Sequence, residues 1–332
     1  MTETVRAVIA GTGSYLPEKI LSNQDFEKMV DTTDEWITTR TGIKTRHIVK
    51  DGELCSDMAA EASRRALENA GISAEELDLV MVATFTGDQP LPATACLVQH
   101  KIGAVHAGAF DVAAACSGFV YTLSCAWGMI RSGIYRKILV VGSEVLSAFA
   151  DYQDRGSCIL FGDGAGAVVL VAGEGTEENR GIMTCQLGAD GSLAEMMTIP
   201  AGGSAKPASA ATLEAREHCI RIRGREVFKF AAGKMQELIL SDLERCGLTY
   251  RDVTLVVPHQ VNTRILDFAA QKCNLPPEKM FVNIDRVGNT SAASVPIALD
   301  EANRKGLLKP GDVVVLVAFG GGLTWASMVL RW

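Results

Sequence analysis

The sequence predicts an α/β fold made of two halves that repeat one another. Runs rich in Val, Ile and Leu alternate with helix-like segments, a pattern typical of mixed or parallel sheets with both faces covered. Four features of the first half also recur 171 to 176 residues later. We therefore expect one half at residues 1–173 and the other at residues 174–332, with a boundary near residues 173–175.

The repeated elements occur in the same order in both halves, and each half closes with a further β-like run. Agreement of the four separations to within five residues favours an internal repeat over the spacings that any α/β chain shows by chance. The repeated features are helix ends at Gly71 and Gly247, first strands after Asp78 and Asp252, second strands from Phe110 and Phe281, and third strands from Lys137 and Asp312.

Residues 313–330 carry no charge and are long enough to cross a bilayer. Three glycines at 320–322 interrupt this stretch and β-branched residues flank them, so a strand, a glycine turn and a second strand are the better prediction. Residues 200–212 are small and turn-rich, and they predict a mobile loop between the halves.

The composition indicates a compact protein in a reducing compartment. The chain of 332 residues is 48% hydrophobic and 21% charged, and its net charge of −7 gives no general support for binding nucleic acid. Its nine cysteines are scattered, without the paired spacing of a zinc ribbon, and its first residues lack a signal-peptide pattern. We expect mostly buried free thiols, a cytoplasmic location and no metal site.

The segment around Cys116 is the most informative for chemistry. A β-like run at 107–112 passes through three alanines into a helix-like run at 116–133. A sulfur at a helix N-terminus faces free backbone N–H groups, which favour the thiolate and bring the thiol pKa from about 8.5 towards neutrality. The alternative is a small core residue, which we expect most of the other cysteines to be.

A histidine and an asparagine far downstream complete a pattern with Cys116. His259 follows a strand and a proline, which predicts a position at the edge of a sheet, whereas Asn289 follows the second strand of the second half. Taken alone, His259 is ambiguous and Asn289 fits a helix cap equally well. Together with Cys116 they suggest acyl transfer through a covalent thioester, in one site between the halves.

Eight motifs, spread over almost the whole chain, are highly specific when taken together. They are GTGSYLP at 11–17, TTDEWITTRTGIKTRHI at 32–48, DVAAACSGF at 111–119, DRG at 154–156, FGDGAGA at 161–167, VPHQVN at 257–262, GNTSAASVP at 288–296 and FGGGLTW at 319–325. With these motifs the chain resembles the β-ketoacyl-acyl carrier protein synthase III family, the initiating condensing enzymes of type II fatty-acid synthesis.

The resemblance implies a thiolase-like fold with a layered αβαβα arrangement. It also implies the decarboxylative Claisen condensation of an acyl-CoA primer with malonyl-acyl carrier protein, carried out by a cytoplasmic homodimer without a cofactor, a membrane or nucleic acid. In the roles that it implies, Cys116 holds the acyl group, and His259 and Asn289 stabilise the enolate that forms when carbon dioxide leaves. Backbone N–H groups of Cys116 and Gly321 form the oxyanion hole.

The resemblance also implies three groups of binding residues, each with a plainer structural alternative. Trp36 could be simple packing, and the charged residues could be solvated helix faces, among them a basic strip at 221–229. Leu91 stands where some acetyl-preferring members have a phenylalanine that reaches across the dimer, so the chain-length limit stays open. The residues are Thr32, Trp36, Arg40, Arg155, Gly156 and Asn262 for CoA, Leu91 and Phe319 for the acyl pocket, and Lys229, Arg264 and Lys272 for docking the acyl carrier protein.

Other functions remain to be weighed against this one. A thiolase would carry a second catalytic cysteine near the C-terminal glycine loop, and residues 318–327 contain none. A synthase of specialised metabolism, making quinolones or polyketide starters, would look nearly identical. A cysteine hydrolase would use the same three residue types but would release a free acid, and an inactive carrier-binding protein would not need all three.

Overall fold

The protein is described here from a computed structural model that covers residues 5–173 and 180–332. Within these ranges it forms five layers, in the order helices, sheet, helices, sheet, helices. The helices are α1 (Asn23–Glu27), α2 (Asp34–Thr41), α3 (Cys55–Ala70), α4 (Thr94–Ile102), α5 (Gly118–Arg131), α6 (Ala210–Glu214), α7 (Gly224–Arg245), α8 (Thr263–Lys272), α9 (Ile284–Val287) and α10 (Ser294–Arg304). The strands are β1 (Arg6–Tyr15), β2 (Lys19–Ser22), β3 (Thr45–Ile48), β4 (Leu79–Ala83), β5 (Gly108–Val112), β6 (Lys137–Glu144), β7 (Gly164–Gly173), β8 (Gly181–Ala189), β9 (Met197–Thr198), β10 (Arg221–Ile222), β11 (Val253–Pro258), β12 (Val313–Gly320) and β13 (Thr324–Arg331).

Two mixed sheets form the β layers. The first has the strand order β1-β7-β6-β4-β5, and the second has the order β11-β12-β13-β8. In the first sheet β4 runs parallel to both β5 and β6, whereas β7 is antiparallel to β1 and β6. In the second sheet β11 and β12 are parallel, and the other pairs are antiparallel. The predicted mixed sheets are therefore confirmed.

Helices α5 and α10 form the central layer, because both contact strands of the two sheets. Their apolar faces share one buried cluster with the inner faces of the sheets. Helices α3 and α4 cover the outer face of the first sheet, and α7 and α8 cover that of the second. The predicted αβαβα arrangement is confirmed, and both sheets have long apolar strands because both of their faces are covered.

The glycines of the GTGSYLP motif allow a helix to pack closely on the first sheet. They lie within strand β1 rather than in a nucleotide-binding turn. A Cβ on Gly11 would come within 2.5 Å of the Ala66 carbonyl oxygen, and one on Gly13 within 2.4 Å of the Ala62 carbonyl oxygen. Glycine at both positions therefore lets β1 and α3 approach backbone to backbone.

The two sheets match strand for strand except at one edge. Strands β4, β6 and β7 correspond to β11, β12 and β13, but the predicted second strand from Phe281 does not form. Only an isolated bridge between Val256 and Met280 occurs there, followed by α9. The buried Gln260 amide explains this difference, because it accepts from the N–H of Asn283 at 3.0 Å and donates to the Phe281 carbonyl at 3.0 Å. A side chain thus replaces the neighbouring strand.

Three other sequence predictions meet different outcomes. Residues 313–330 form the predicted hairpin, β12 and β13, and none of the helices in the described ranges is long and apolar enough to span a membrane. Residues 200–212 are not loop throughout, since α6 begins at Ala210 after the Ser209 N-cap. The boundary predicted near 173–175 lies partly outside the described residues, so the division into halves at 173 and 174 stays a prediction.

The nine cysteines are all free, but the expectation that most are buried was wrong. Four are buried, three are half-buried, and Cys96 and Cys125 are exposed. The exposed pair lie on helices α4 and α5, at positions that the sheets do not cover. Which face of its helix a cysteine occupies decides whether it is exposed. The spacing of the cysteines along the sequence does not indicate that face.

Candidate active site

Cys116 lies in a single 3₁₀ turn, Ala115–Ser117, between β5 and the start of α5. The preceding residue, Ala115, has φ of 45°, a left-handed conformation that costs a residue with a Cβ on the order of 1–3 kcal/mol. The turn is held from β13, because the Thr324 hydroxyl donates to the Ala114 carbonyl at 3.1 Å and lies 2.7 Å from the Ser117 hydroxyl. The predicted helix-start position is therefore present, with a strained turn in place of a regular first helical turn.

The same turn occurs in the second half. Residues Ser291–Ala293 form a 3₁₀ turn before α10, and Ser291 has φ of 48°. The two strained turns lie against each other at the ends of the two central helices. The internal repeat thus creates one site in which Cys116 comes from the first half and the segment around Asn289 comes from the second.

The end of β12 packs closely against the backbone of Cys116. A Cβ added to Gly320 would lie 2.6 Å from the Cys116 backbone nitrogen and 3.1 Å from the Ala114 carbonyl oxygen. The first contact is shorter than real Cβ atoms make and the second is tighter than most, and both partners are backbone atoms that cannot move aside cheaply. Glycine at 320 therefore sets how closely the glycine loop approaches the nucleophile.

We expect Gly320→Ala to lower the rate of Cys116 acylation on the order of 10²-fold, because the turn has to shift to admit the methyl group. Acylation is measured by intact-protein mass spectrometry after mixing with acyl-CoA. Gly233→Ala is the matched control, since its Cβ in α7 would meet nothing within 4 Å and alanine favours the helix. Acylation of Gly320→Ala at the wild-type rate would show that this close approach does not position the sulfur.

The expectation of a lowered thiol pKa was wrong. Burial, with a smaller contribution from the charge of Glu144, raises the pKa of Cys116 to about 12. The Ser291 side chain and the backbone N–H of Cys116 itself act in the opposite direction, but burial outweighs both. The residue is 6% exposed, so desolvation of the thiolate outweighs the dipole of the following helix. The free protein therefore holds a thiol, which needs a proton acceptor before it can attack.

Asn289 lies beside this turn with its amide oriented by its neighbours. Its Oδ1 accepts from the Ser291 N–H at 2.9 Å, and its own backbone bonds to Leu160 and Gly162. Because the oxygen is occupied, Nδ2 is the group that can donate to a ligand. The side chain is 5% exposed and lines the same cavity as Cys116. The helix-cap alternative does not hold, since α10 begins at Ser294.

His259 follows β11 as predicted, and its backbone N–H donates to the Val317 carbonyl at 2.8 Å. Its ring meets Phe319 edge to face, with 5.7 Å between the centroids. Burial lowers the pKa of His259 to about 3, so the imidazole is neutral at physiological pH. Its Nδ1 has no hydrogen-bond partner among the residues that the structure describes. A buried neutral ring with spare hydrogen-bonding capacity is suited to donating to a substrate oxygen.

An apolar cavity of about 240 Å³ opens onto Cys116. Cys116, Asn289 and Gly321 lie in its wall, as the sequence predicted for one shared site, whereas His259 is not among the lining residues. The sequence pattern did not single out the rest of the wall, because these residues come from distant segments. They are Phe85, Ala115, Leu146, Phe161, Met197, Thr198, Ile199, Ile220 and Ser291.

The two residues predicted for the acyl pocket lie elsewhere in the described chain. Leu91 is 84% exposed, and Phe319 is 4% exposed against the His259 ring. Neither lines the cavity at Cys116. A surface position for Leu91 is what a residue that reaches into a second copy would show, so its role stays a prediction.

A cluster of aromatic and basic side chains lies at the surface around α2. The guanidinium carbons of Arg40 and Arg155 lie 4.8 and 5.3 Å from the centroid of the Trp36 ring. Arg155 also donates to the Asp31 carbonyl at 2.6 Å. The Asn262 amide donates to the Arg40 carbonyl at 2.8 Å, which ties α8 to α2. Three segments that are distant in sequence, at residues 31–40, 155 and 262, thus meet at this surface.

The remaining predicted CoA residues are near this cluster in sequence. Thr32 follows Asp31, and its hydroxyl is buried without a hydrogen-bond partner among the described residues. Gly156 follows Arg155, is exposed, and donates its N–H to Asp154 Oδ1 at 3.0 Å. A buried hydroxyl with an unused donor and acceptor, four residues before the half-buried Trp36, can bind a polar ligand.

The predicted docking residues are all exposed on the outer helical layer. Lys229 lies on α7, and Arg264 and Lys272 lie on α8, which packs against α7. The strand β10, which is part of the basic strip, pairs with β9, and Met197 of β9 lines the cavity. The basic surface therefore begins beside the cavity wall.

One titratable group beside the site was not predicted from the sequence. Glu144, the last residue of β6, is fully buried and hydrogen-bonds Ser291 at 3.2 Å. A carboxylate at the end of a long apolar strand is the signal that could have drawn attention to it. Within residues 5–173 and 180–332, no group of three or more His, Cys, Asp or Glu side chains is arranged to hold a metal ion.

Comparison with known proteins identifies relatives over the full length of the chain. Residues 110–191 match the family model described as 3-oxoacyl-[acyl-carrier-protein] synthase III, and residues 243–332 match its C-terminal counterpart. The β-ketoacyl-[acyl-carrier-protein] synthase III of Caldanaerobacter subterraneus subsp. tengcongensis is 53% identical, over 100% of this chain and 99% of that protein.

Solved structures agree with this result. The 3-oxoacyl-[acyl-carrier-protein] synthase III of Aquifex aeolicus is 47% identical, with a TM-score of 0.90 over 98% of this chain and 100% of that one. The priming β-ketosynthase of the R1128 polyketide pathway is 35% identical, with a TM-score of 0.91 over 100% of this chain and 97% of that one.

Proposed function

Because the chain belongs to the 3-oxoacyl-[acyl-carrier-protein] synthase III family, we propose that it condenses acyl-CoA with malonyl-acyl carrier protein through an acyl-cysteine at Cys116. It is an acyl-transferring condensing enzyme that initiates fatty-acid synthesis. The observation that carries the role of Cys116 is the cavity, which brings its thiol, the Asn289 amide and the Gly321 backbone to one apolar space. That space suits an acyl chain, whose burial is favourable in proportion to its apolar area.

In the first half-reaction the Cys116 sulfur attacks the thioester carbonyl of acyl-CoA. The new C–S bond forms, the bond to the CoA sulfur breaks, and CoA leaves with the thiol proton. The N–H groups of Cys116 and Gly321 donate to the oxyanion of the tetrahedral intermediate, and one such donor typically contributes about 3–4 kcal/mol. The contact of Gly320 with the Cys116 nitrogen brings these two segments together.

In the second half-reaction malonyl-acyl carrier protein replaces CoA. Its carboxylate leaves as carbon dioxide, and the electron pair forms an enolate that attacks the acyl carbon and releases Cys116. His259 and Asn289 Nδ2 donate hydrogen bonds to the enolate oxygen. Both groups support this role, because the neutral imidazole and the neutral amide each carry an N–H that can donate a hydrogen bond. Atoms and electrons balance between the two substrates, so the reaction needs no cofactor.

The cluster around Trp36 is the proposed binding site of the CoA adenine. An adenine ring would stack on the indole and the guanidinium groups, and Asn262, Thr32 and Gly156 would contact the rest of the nucleotide. Arg155 already lies over Trp36, so it has to move when the base enters. Its ion pair with Asp31, 3.3 Å long and exposed, opposes this movement only weakly.

The exposed cations on α7 and α8 form the proposed docking surface for acyl carrier protein. Lys229→Glu and Lys272→Glu are expected to raise the KM for malonyl-acyl carrier protein roughly tenfold each, about 1.4 kcal/mol, and to weaken its dependence on salt. The KM for acyl-CoA stays unchanged. Lys309→Glu, an exposed lysine before β12, is the control for the same change in net charge. An equal rise in the control, or in the KM for acyl-CoA, would contradict docking at this surface.

A homodimer is proposed from the free edge of the first sheet. Strand β5 ends that sheet, and Phe110 on β5 is 37% exposed. An edge strand offers unpaired backbone groups, which a second copy of the chain can satisfy. Leu91, at 84% exposed, would then be available to the partner's cavity. The nine free cysteines support a reducing cytoplasmic location.

Product analysis tests the function directly. The protein is incubated with acyl-CoA and ¹⁴C-carboxyl-labelled malonyl-acyl carrier protein, and the expected products are β-ketoacyl-acyl carrier protein and labelled carbon dioxide. Release of free acid without a condensation product would instead support a cysteine hydrolase. The relatives in fatty-acid synthesis reach 53% identity against 35% for the polyketide enzyme, which favours the role in fatty-acid synthesis.

A further inference from the structure

A fully buried glutamine, Gln260, is hydrogen-bonded to two segments of the second half. Its Nε2 donates to the Pro258 and Phe281 carbonyls, each at 3.0 Å. Its Oε1 accepts from the Asn283 and Ile284 N–H groups at 3.0 and 3.2 Å. Both donors and both acceptor positions of the amide are therefore used within the protein, and none is left for a substrate.

The segment that carries Asn289 is attached to Gln260 on both sides. Six residues before Asn289, the Asn283 N–H donates to the Gln260 side chain. Five residues after Asn289, the Ser294 hydroxyl accepts from the Gln260 backbone N–H at 2.7 Å. Asn283 and Ser294 are both buried, so water does not compete for these bonds. Residues 284–293, which form α9 and the strained turn, thus lie between two attachments to one residue.

His259 directly precedes Gln260, and the backbone on both sides of it is held. Its own N–H donates to the Val317 carbonyl of β12 at 2.8 Å. The Gln260 side chain bonds the carbonyl of Pro258, the residue before it. The backbone around the imidazole is therefore fixed relative to the segment that carries Asn289.

We propose that Gln260 is a positioning residue that sets the separation between His259 and Asn289. The inference rests on the proposed function, in which both side chains donate to one enolate oxygen. Two donors can serve one oxygen only if both are in place before the charge develops, and a displacement of about 1 Å can lower the rate on the order of 10²-fold. Gln260 does not line the cavity within the described residues, so it acts through these two side chains.

Acylation of Cys116 should depend on Gln260 far less. The proposed oxyanion hole of that step consists of the backbone N–H groups of Cys116 and Gly321, and the turn of Cys116 is held by the Thr324 hydroxyl of β13. None of the hydrogen bonds of Gln260 given above reaches these segments. A loss confined to decarboxylation therefore indicates the positioning role, whereas general damage to the fold would lower both steps.

The test is Gln260→Glu, assayed separately for Cys116 acylation by mass spectrometry and for release of labelled carbon dioxide from malonyl-acyl carrier protein. The ionised carboxylate still accepts from the two backbone N–H groups, but it has no proton to donate to the two carbonyls. At pH 8 the kcat of decarboxylation should fall on the order of 10²-fold. The KM for malonyl-acyl carrier protein and the rate of acylation should stay close to those of the wild type.

Lowering the pH should restore part of the decarboxylation rate of Gln260→Glu. Burial and the two facing carbonyls disfavour the charged carboxylate and raise its pKa, and a protonated carboxyl can again donate to one of the carbonyls. The ratio of the variant rate to the wild-type rate should therefore rise as the pH is lowered from about 8.5 to about 5.5.

The other ionisable groups around Gln260 do not produce this rise. Burial lowers the pKa of His259 to about 3, so its ring stays neutral over this range. Glu301 accepts from the Asn283 amide at 2.9 Å; burial raises its pKa, but hydrogen bonds from Lys305 and Asn283 contribute to lowering it overall. The wild type and the variant also share the remaining ionisable side chains of α9 and α10, which are Asp285, Asp300, Arg286 and Arg304. Their titration cancels in the ratio of the two rates.

A second variant and a control accompany this change. Gln260→Met removes both donors and both acceptors at a similar side-chain length, so its decarboxylation rate should be low at every pH. Gln186→Glu is the control, because it makes the same substitution at another side-chain amide, on β8, which donates to the Ser241 hydroxyl at 2.5 Å. This control should keep both half-reactions at the wild-type rates, and circular dichroism checks that each variant is folded.

Three results would overturn the positioning role. They are wild-type decarboxylation in both Gln260 variants, equal losses of acylation and decarboxylation, and a loss in Gln260→Glu that is the same at every pH. The proposed function fails in a different way. A wild type that releases no carbon dioxide from malonyl-acyl carrier protein would refute that function, whereas a wild type that releases it no faster than the Gln260 variants would refute the positioning role alone.

Discussion

Cys116→Ser is expected to lose acyl transfer by on the order of 10⁴-fold or more, while the fold survives. A hydroxyl is a much weaker acid than a thiol, and the thiol is already held protonated by burial. Serine is close to cysteine in size, so the turn at Ala115–Ser117 and its contact with Gly320 should persist. The measurement is the mass of the protein after incubation with acyl-CoA, together with the rate of condensation.

The matched control for this change is Cys125→Ser on α5, the helix that begins just after Cys116. Cys125 is exposed and does not line the cavity, so its replacement should leave both rates unchanged. Substantial condensation by Cys116→Ser would contradict its role as nucleophile. An acyl adduct on any other side chain of the wild type would contradict it equally.

His259→Ala and Asn289→Ala are each expected to lower malonyl decarboxylation about 10²–10³-fold, because each removes one donor to the enolate oxygen. Cys116 acylation should fall much less, since neither side chain contributes to the oxyanion hole of that step. The double variant should lose less than the product of the two single losses, because both donors act on the same oxygen. Decarboxylation is measured as labelled carbon dioxide released from malonyl-acyl carrier protein.

The pH dependence and the thermal stability of these variants separate chemistry from packing. The pKa of His259 is lowered to about 3, so its neutral ring persists above that pH, and wild-type decarboxylation should show no step near pH 6.5 from this residue. His259→Ala removes a 1% exposed ring from its contact with Phe319, so a lower Tm is also expected. Parallel losses of acylation and decarboxylation would contradict this division of roles.

Local patterns predicted the long elements well. The helix that ends at Gly71 and the helix that ends near Gly247 both form, and each of these glycines has a positive φ. The β12–β13 hairpin forms where three glycines interrupt an apolar run. These elements are predictable because their signals lie within a few neighbouring residues.

The missing strand after Phe281 shows where local patterns fail. Its sequence suits a strand, but Gln260, some twenty residues earlier, supplies the hydrogen bonds that an adjacent strand would have supplied. The partner of a backbone group is a tertiary property. No periodicity in residues 281–287 could have shown it.

The sequence by itself determined the two-part α/β organisation and the candidate site residues Cys116, His259 and Asn289. Strand periodicity and motif spacing depend only on residues that are near one another along the chain. The tertiary structure alone decided the charge state of these groups. Burial turns the expected thiolate of Cys116 into a thiol and keeps His259 neutral. It also brought Ser291, which lines the cavity with Cys116, into contact with Glu144 across 147 residues of chain. Desolvation and hydrogen bonding depend on what surrounds a side chain in space, and position along the chain does not specify those surroundings.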